Sequence, residues 1–205
     1  MKPDAIEQNS FQIIEEEAGD HGFSPRKWQI VRRMIHTTAD FEFVQSVRFH
    51  AGAIDAGLAA IGAGKPIFTD TNMARVGLRQ KEMTRFNVTA RCLISDPAIL
   101  KIAREKETTR ARAAVDAAAP HMTGAIYAVG NAPTALLRLM ELIRAGVAAP
   151  GLIVGLPVGF VNAAESKDEL MTLDIPYITN KGRKGGSNIA ASIVNAIAIM
   201  AANQK

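Results

Sequence analysis

The chain has one cysteine, Cys92, set in an apolar run. A single thiol excludes a disulfide framework and a thiolate metal cluster, and a reducing cytoplasm is the expected home. Aromatic residues make up only 5% of the sequence, which disfavours the stacking platforms that hold single-stranded nucleic acid. Long apolar runs are missing too. The richest, from Ile189 to Ala202, is broken by Ser192 and Asn195, and Met1-Lys2-Pro3-Asp4 carries no apolar signal core. No membrane segment is expected. Nucleotide signatures are also lacking: Gly62-Ala63-Gly64-Lys65 runs into Pro66 and precedes an apolar run rather than following one, and no Gly-x-Gly-x-x-Gly occurs. His21, His36, His50 and His121 are scattered without a helical ligand pair, so no protein-held metal is expected.

What is present suits one well-filled core in 205 residues, 48% of them hydrophobic and rich in Ala, Ile, Val and Gly. The net charge of +4 fits an acidic small ligand better than a long polyanion, which calls for a dense basic stripe. The cation-bearing segment Arg104 to Arg112 reads as a solvated helix face, with Arg110 able to reach a ligand at the sheet edge.

Residues 4–18 place Ile6, Phe11, Ile13 and Ile14 at amphipathic-helix spacing before Glu15-Glu16-Glu17, with Ser10 beside the apolar face. Ser24-Pro25 opens a second helix whose apolar positions are Trp28, Val31 and Ile35. His36 then falls in the last turn. The partial negative charge of a helix C-terminus favours imidazolium, which suits a proton donor near neutral pH, although Arg32 and Arg33 oppose it. Phe41 to Val44 fits a strand or a helix start equally, and Gly52 to Gly62 fits a small helix.

From Lys65 the pattern becomes strand-helix alternation. Apolar runs at Pro66 to Thr69, Val88 to Ile94, Ala125 to Val129, Leu152 to Leu156 and Tyr177 to Thr179 read as buried parallel strands. Helical stretches at Asn72 to Leu78, Pro97 to Ala118, Pro133 to Ala145, Ala163 to Met171 and Asn188 to Ala202 supply the crossovers. The expected architecture is one α/β domain, a flavodoxin-like three-layer α/β/α sandwich with a five-stranded parallel sheet. In that expectation 1–64 forms a helical N-terminal part and 65–205 the core.

Ligands of such sheets lie beyond the carboxyl ends of the strands, and there the loops carry Thr69, Asp70, Asn72, Asn131 and the segment Lys181 to Asn188. In that last loop Arg183, Lys184, Gly185, Gly186 and Ser187 lead straight into a helix. Cations and unpaired first-turn amides at one point suit a carboxylate or phosphate, while a flexible turn capped by Ser187 accounts for the same residues equally well.

Several segments together resemble one family, the precorrin-8X methylmutases of cobalamin biosynthesis. They are Ser10-Phe11, Arg33-Met34-Ile35-His36, Asp70 with Met73 and Gly77, Thr109-Arg110, and Val129-Gly130-Asn131-Ala132-Pro133-Thr134-Ala135-Leu136. Gly155-Leu156-Pro157-Val158-Gly159-Phe160-Val161, Ala163-Ala164-Glu165-Ser166-Lys167 and Gly182-Arg183-Lys184-Gly185-Gly186-Ser187 complete the set. The resemblance implies a cofactor-free isomerase that moves a methyl group from carbon 11 to carbon 12 of a corrin-type tetrapyrrole, any cobalt arriving within the substrate. It implies a homodimer with the macrocycle at or near the subunit interface, His36 as the catalytic histidine, and Ser10 and Arg110 as substrate contacts. Ala111 departs from the family, where serine is frequent.

The substrate's acetate and propionate groups would then meet Arg110, Arg183, Lys184 and the amides of Gly185 to Ser187, with Thr69 and Asn131 at the ring edge. A large rigid product surrenders little conformational freedom on binding, so hand-over to the next enzyme is a further expectation. The competing class is a non-catalytic flavodoxin-like module holding a phosphate-bearing ligand, which leaves His36 without a task.

Overall fold

The structure, a computed structural model, describes residues 3–204, with side chains from residue 5. Among the described residues six strands form one sheet: β1 (Val47–Phe49), β2 (Ile67–Thr69), β3 (Ala90–Arg91), β4 (Ile126–Val129), β5 (Leu152–Gly155) and β6 (Tyr177–Asn180), in the order β1-β6-β5-β4-β2-β3. β2 to β6 run parallel, as their continuous apolar character required, and every residue of β4 and β5 is buried. The sheet is larger than the five strands expected, because β1 joins β6 antiparallel with Val47 opposite Asn180. The undecided apolar residues before it enter a one-turn helix, α3 (Phe43–Ser46), and β1 is three residues long. So short a strand shows no periodicity of its own. The N-terminal part is therefore not purely helical. β3 is also shorter than the run Val88 to Ile94, as an edge strand with a single partner.

Two helical layers cover the sheet. On one face lie α2 (Pro25–Thr38), α4 (Ala53–Gly62), α5 (Asn72–Val76), α6 (Gln80–Arg85) and α11 (Ser187–Asn203), with α1 (Pro3–Ala18) resting on α2. Trp28, Ile30, Val31, Met34 and Ile35 of α2 pack onto α11, and α11 is buried along nearly all its length. That placement explains why α11 carries no charged residue. The other face holds α8 (Arg110–Ala118), α9 (Pro133–Arg144) and α10 (Ala163–Leu170), with α7 (Pro97–Glu105) packed on α8.

The single helix expected from Pro97 to Ala118 is two helices. Glu107 adopts a left-handed φ of 48°, and Thr109 Oγ1 then caps α8 by accepting from the Arg112 amide at 3.1 Å. The helix α6 was not foreseen; six residues are too few for a helical period to stand out.

α11 approaches the sheet at one point where only glycine fits. A Cβ on Gly130, just past β4, would lie 2.5 Å from Ser187 Cα. Gly130→Ala is expected to lower unfolding stability by about 1–3 kcal/mol through overpacking at this backbone contact, read from the denaturant midpoint.

Candidate active site

At β2 and β4 the chain leaves the sheet in opposite directions, toward β3 and toward β5, and the loops beyond them part. Asp70, the first residue after β2, spans the gap. Its Oδ1 accepts from Gly130 N at 2.9 Å, and its Oδ2 accepts from Asn131 N at 2.8 Å and Ala132 N at 2.7 Å. Burial pushes the carboxyl above the usual carboxylate range, and the backbone donors work against that shift. The crevice beside it, about 340 Å³, is lined by Asn72, Ile94, Arg110 and Asn131 among others. Arg110 and Asn131 are exposed. Thr69 is not: it is 3% exposed, and its hydroxyl donates to Thr71 O at 2.9 Å.

His36 lies elsewhere, in the last turn of α2, in a groove of about 260 Å³ shared with Ser10, Ile13, Ile14, Glu17, Ala39 and Phe41. The ring is exposed and meets the edge or face of Phe11 at 5.2 Å with a 68° interplanar angle. Among the described residues no hydrogen bond reaches its nitrogens. The opposing cations are partly neutralised, Arg33 by Glu7 at 3.0 Å and Arg32 by Glu15 at 3.5 Å, and both guanidinium groups lie over Phe11. Ser10 Oγ donates to Ile6 O at 2.9 Å.

The loop Lys181 to Ser187 runs from β6 into α11. Lys184 Nζ is held by Asp40 Oδ2 at 2.5 Å and Glu42 Oε2 at 2.9 Å, which ties the loop to the chain just past His36. These bonds raise the pKa of Lys184. At Asp40 burial works upward, yet the hydrogen bonds from Lys184 and the Glu42 amide, together with the Lys184 charge, outweigh it and the carboxyl shifts down. Arg183 has no ion pair among the described residues; its guanidinium lies 5.5 Å from the ring centre of Phe160, which is 82% exposed. A Cβ on Gly185 would stand 2.3 Å from Leu156 O. The Gly186 amide is already engaged with that carbonyl at 3.0 Å, and Ser187 Oγ shares a 2.7 Å hydrogen bond with Thr71 Oγ1. Beneath the loop, Lys167 of α10 is fully buried, and desolvation lowers its pKa to about 8.

A family model for precorrin-8X methylmutase (CbiC) matches residues 5–200. The cobalt-precorrin-8 methylmutase of Priestia megaterium is 46% identical over 98% of this chain and 89% of its own length. That of Leptospira interrogans is 42% identical over 97% of this chain and 94% of its own. A solved precorrin-8X methylmutase from Thermus thermophilus superposes with a TM-score of 0.92 at 48% identity, over 98% of this chain and 97% of that one. The chain belongs to the precorrin-8X methylmutase family. It is thus a methyl-shifting isomerase of cobalamin biosynthesis.

In this methylmutase the residues singled out from sequence do not form one cluster. Ser10 and His36 share the groove on α1 and α2, Arg110 and Asn131 share the crevice, and Arg183 to Ser187 form the loop that meets both neighbourhoods through Lys184 and Ser187. Two residues of consequence stand in the loops and motifs quoted from sequence but were given no role there. Asp70 stands directly after a strand at the switch point, a position that is itself a signal. Lys167 occupies the buried face of α10 with Ala163, Ser166 and Leu170; a lysine at core spacing is the legible sign.

Among the described residues no helix is long and apolar enough to cross a membrane. Replacing Asp70 with Asn puts an amide donor against backbone donors, and the expected loss is about 1–3 kcal/mol of stability by chemical denaturation.

Proposed function

We propose that this isomerase acts on precorrin-8 in its cobalt-bearing form, moving the ring C methyl group from carbon 11 to carbon 12 with His36 as the acid. The observation that carries the assignment is an exposed imidazole at a helix C-terminus, in a groove with Ser10, without a hydrogen-bond partner among the described residues. An imidazolium there donates its proton to, or hydrogen-bonds, the ring nitrogen beside the migrating centre. The adjacent carbon becomes electron-poor, the methyl group migrates to it, and the histidine regains its proton. The rearrangement changes no oxidation state and transfers nothing to water, so the cobalt is cargo within the substrate. Relatives named as cobalt-precorrin-8 methylmutases support the cobalt-bearing form.

Arg110 and Arg183 are the cations we assign to the acidic substituents, since neither is engaged in an ion pair among the described residues. Lys184 is placed to act through its hold on Asp40. The five parallel strands, renumbered among themselves, follow the order 2-1-3-4-5, which supports a flavodoxin-like core with its ligand at the switch point.

The active unit in this proposal is a homodimer. Openings of about 260 and 340 Å³ compare with roughly 300–1,000 Å³ for drug-sized ligands, and a substituted tetrapyrrole is larger still. The groove lies on α1 and α2 and the crevice at the strand ends between the two helical layers, and exposed Phe160, Val161, Met73 and Val76 offer apolar surface for a second copy. A macrocycle enclosed between two chains suits hand-over of the product to the next enzyme.

A visible absorption time course with precorrin-8 and with cobalt-precorrin-8 tests the chemistry. Turnover of the cobalt form that His36→Ala loses, with substrate binding retained, is expected; wild-type turnover in the variant ends the acid role. Mixing His36→Ala with Arg110→Ala tests the assembly. Mixed dimers should regain turnover that neither variant has alone if the site joins residues of both protomers, and should stay inactive if one protomer supplies both.

A further inference from the structure

Lys167 is fully buried and faces no carboxylate within ion-pair distance among the described residues. A buried ammonium is destabilising unless its hydrogens find acceptors. Two acceptors are in place. Nζ donates to Lys184 O at 2.6 Å and to Asn180 Oδ1 at 3.2 Å, and Asn180 Nδ2 donates to the same Lys184 carbonyl at 2.9 Å. Two buried donors thus draw one loop carbonyl into the protein.

The direction of that carbonyl fixes its neighbour. No described peptide bond is cis, and in a planar trans peptide C=O and N–H point in opposite directions. With Lys184 C=O held inward, the Gly185 N–H of the same peptide points the opposite way, away from Lys167 and Asn180. No hydrogen bond is made by that amide among the described residues. Glycine is required at 185 by the close approach of Leu156 O, and a peptide unit turned the other way would present a carbonyl to an incoming anion.

We infer that Lys167 is a positioning residue, which locks the Lys184-Gly185 peptide so that the Gly185 amide donates to a carboxylate of the substrate. The inference rests on the assignment of the Lys181 to Ser187 loop to the acidic substituents. It gives a purpose to a buried cation that the methyl shift itself does not use.

The test compares Lys167→Met, which nearly keeps volume and removes the Nζ donor while leaving that of Asn180, with Arg183→Ala, each assayed for KM and kcat. For Lys167→Met, KM is expected to rise about tenfold, the effect of one lost hydrogen bond to a charged group, with kcat within about twofold. A raised KM in Arg183→Ala with an unchanged KM in Lys167→Met overturns the role of Lys167 and leaves the loop assignment standing. An unchanged KM in both overturns the loop assignment and the inference with it. A second measurement needs no variant: in the 1H–15N spectrum of the wild-type protein the Gly185 amide should shift downfield when product is added. An unmoved Gly185 signal at saturation overturns the inference even if Lys167→Met fails to fold.

Discussion

The carboxylate of Asp70 holds the end of β2 to the beginning of α9, and the geometry around the switch point depends on it. Three consecutive amides, Gly130 to Ala132, converge on its two oxygens. Asp70 is 2% exposed, so its two oxygens need these donors where water is excluded. Because they are gathered in, the turn is tight enough for Ser187 to rest against Gly130, and α11 starts at the mouth of the crevice. Asn131 is left facing outward. One side chain thereby sets the mutual placement of three strand-end loops.

A second constraint acts on the anion loop through two lysines with opposite tasks. Lys184, exposed, reaches up to Asp40 and Glu42 and fastens the loop to the segment after His36. Lys167, buried, reaches up from below and holds the same residue's carbonyl. The exposed pair contributes little to stability by itself; its importance is geometric, since it connects the proposed acid to the proposed carboxylate site. The modest positive charge of the chain is in this way divided. Many cations are paired on the surface, while Arg110 and Arg183 stand without ion-pair partners among the described residues, beside the openings at the strand ends.

Some of this architecture was open to reading from sequence. The parallel strands are apolar throughout because both faces are covered, and each crossover helix leaves a 3.6-residue pattern; the boundaries of α9, β4 and β5 followed within a residue or two. His36 was placed in the last turn of its helix by Pro25 and the spacing of Trp28, Val31 and Ile35. The misses share one cause. β1, α3 and α6 are each too short to complete a period, and the break at Glu107 is a single left-handed residue between two stretches with helical pattern. Local composition has no signal for either.

The sequence by itself determined the fold class, the family and the residue types available for chemistry, because apolar periodicity and ordered motifs are properties of the chain read in one dimension. Only tertiary structure decided which of those residues are free to act. Thr69 and Ser187 turn their hydroxyls to protein partners, the Gly186 amide faces Leu156 O, and Lys184 is claimed by Asp40 and Glu42. These pairings join positions from two to well over a hundred residues apart, such as Thr69 with Thr71 and Lys184 with Asp40. The long-range ones follow from the order in which strands enter the sheet, and that order is set by packing of the whole chain rather than by any segment of it.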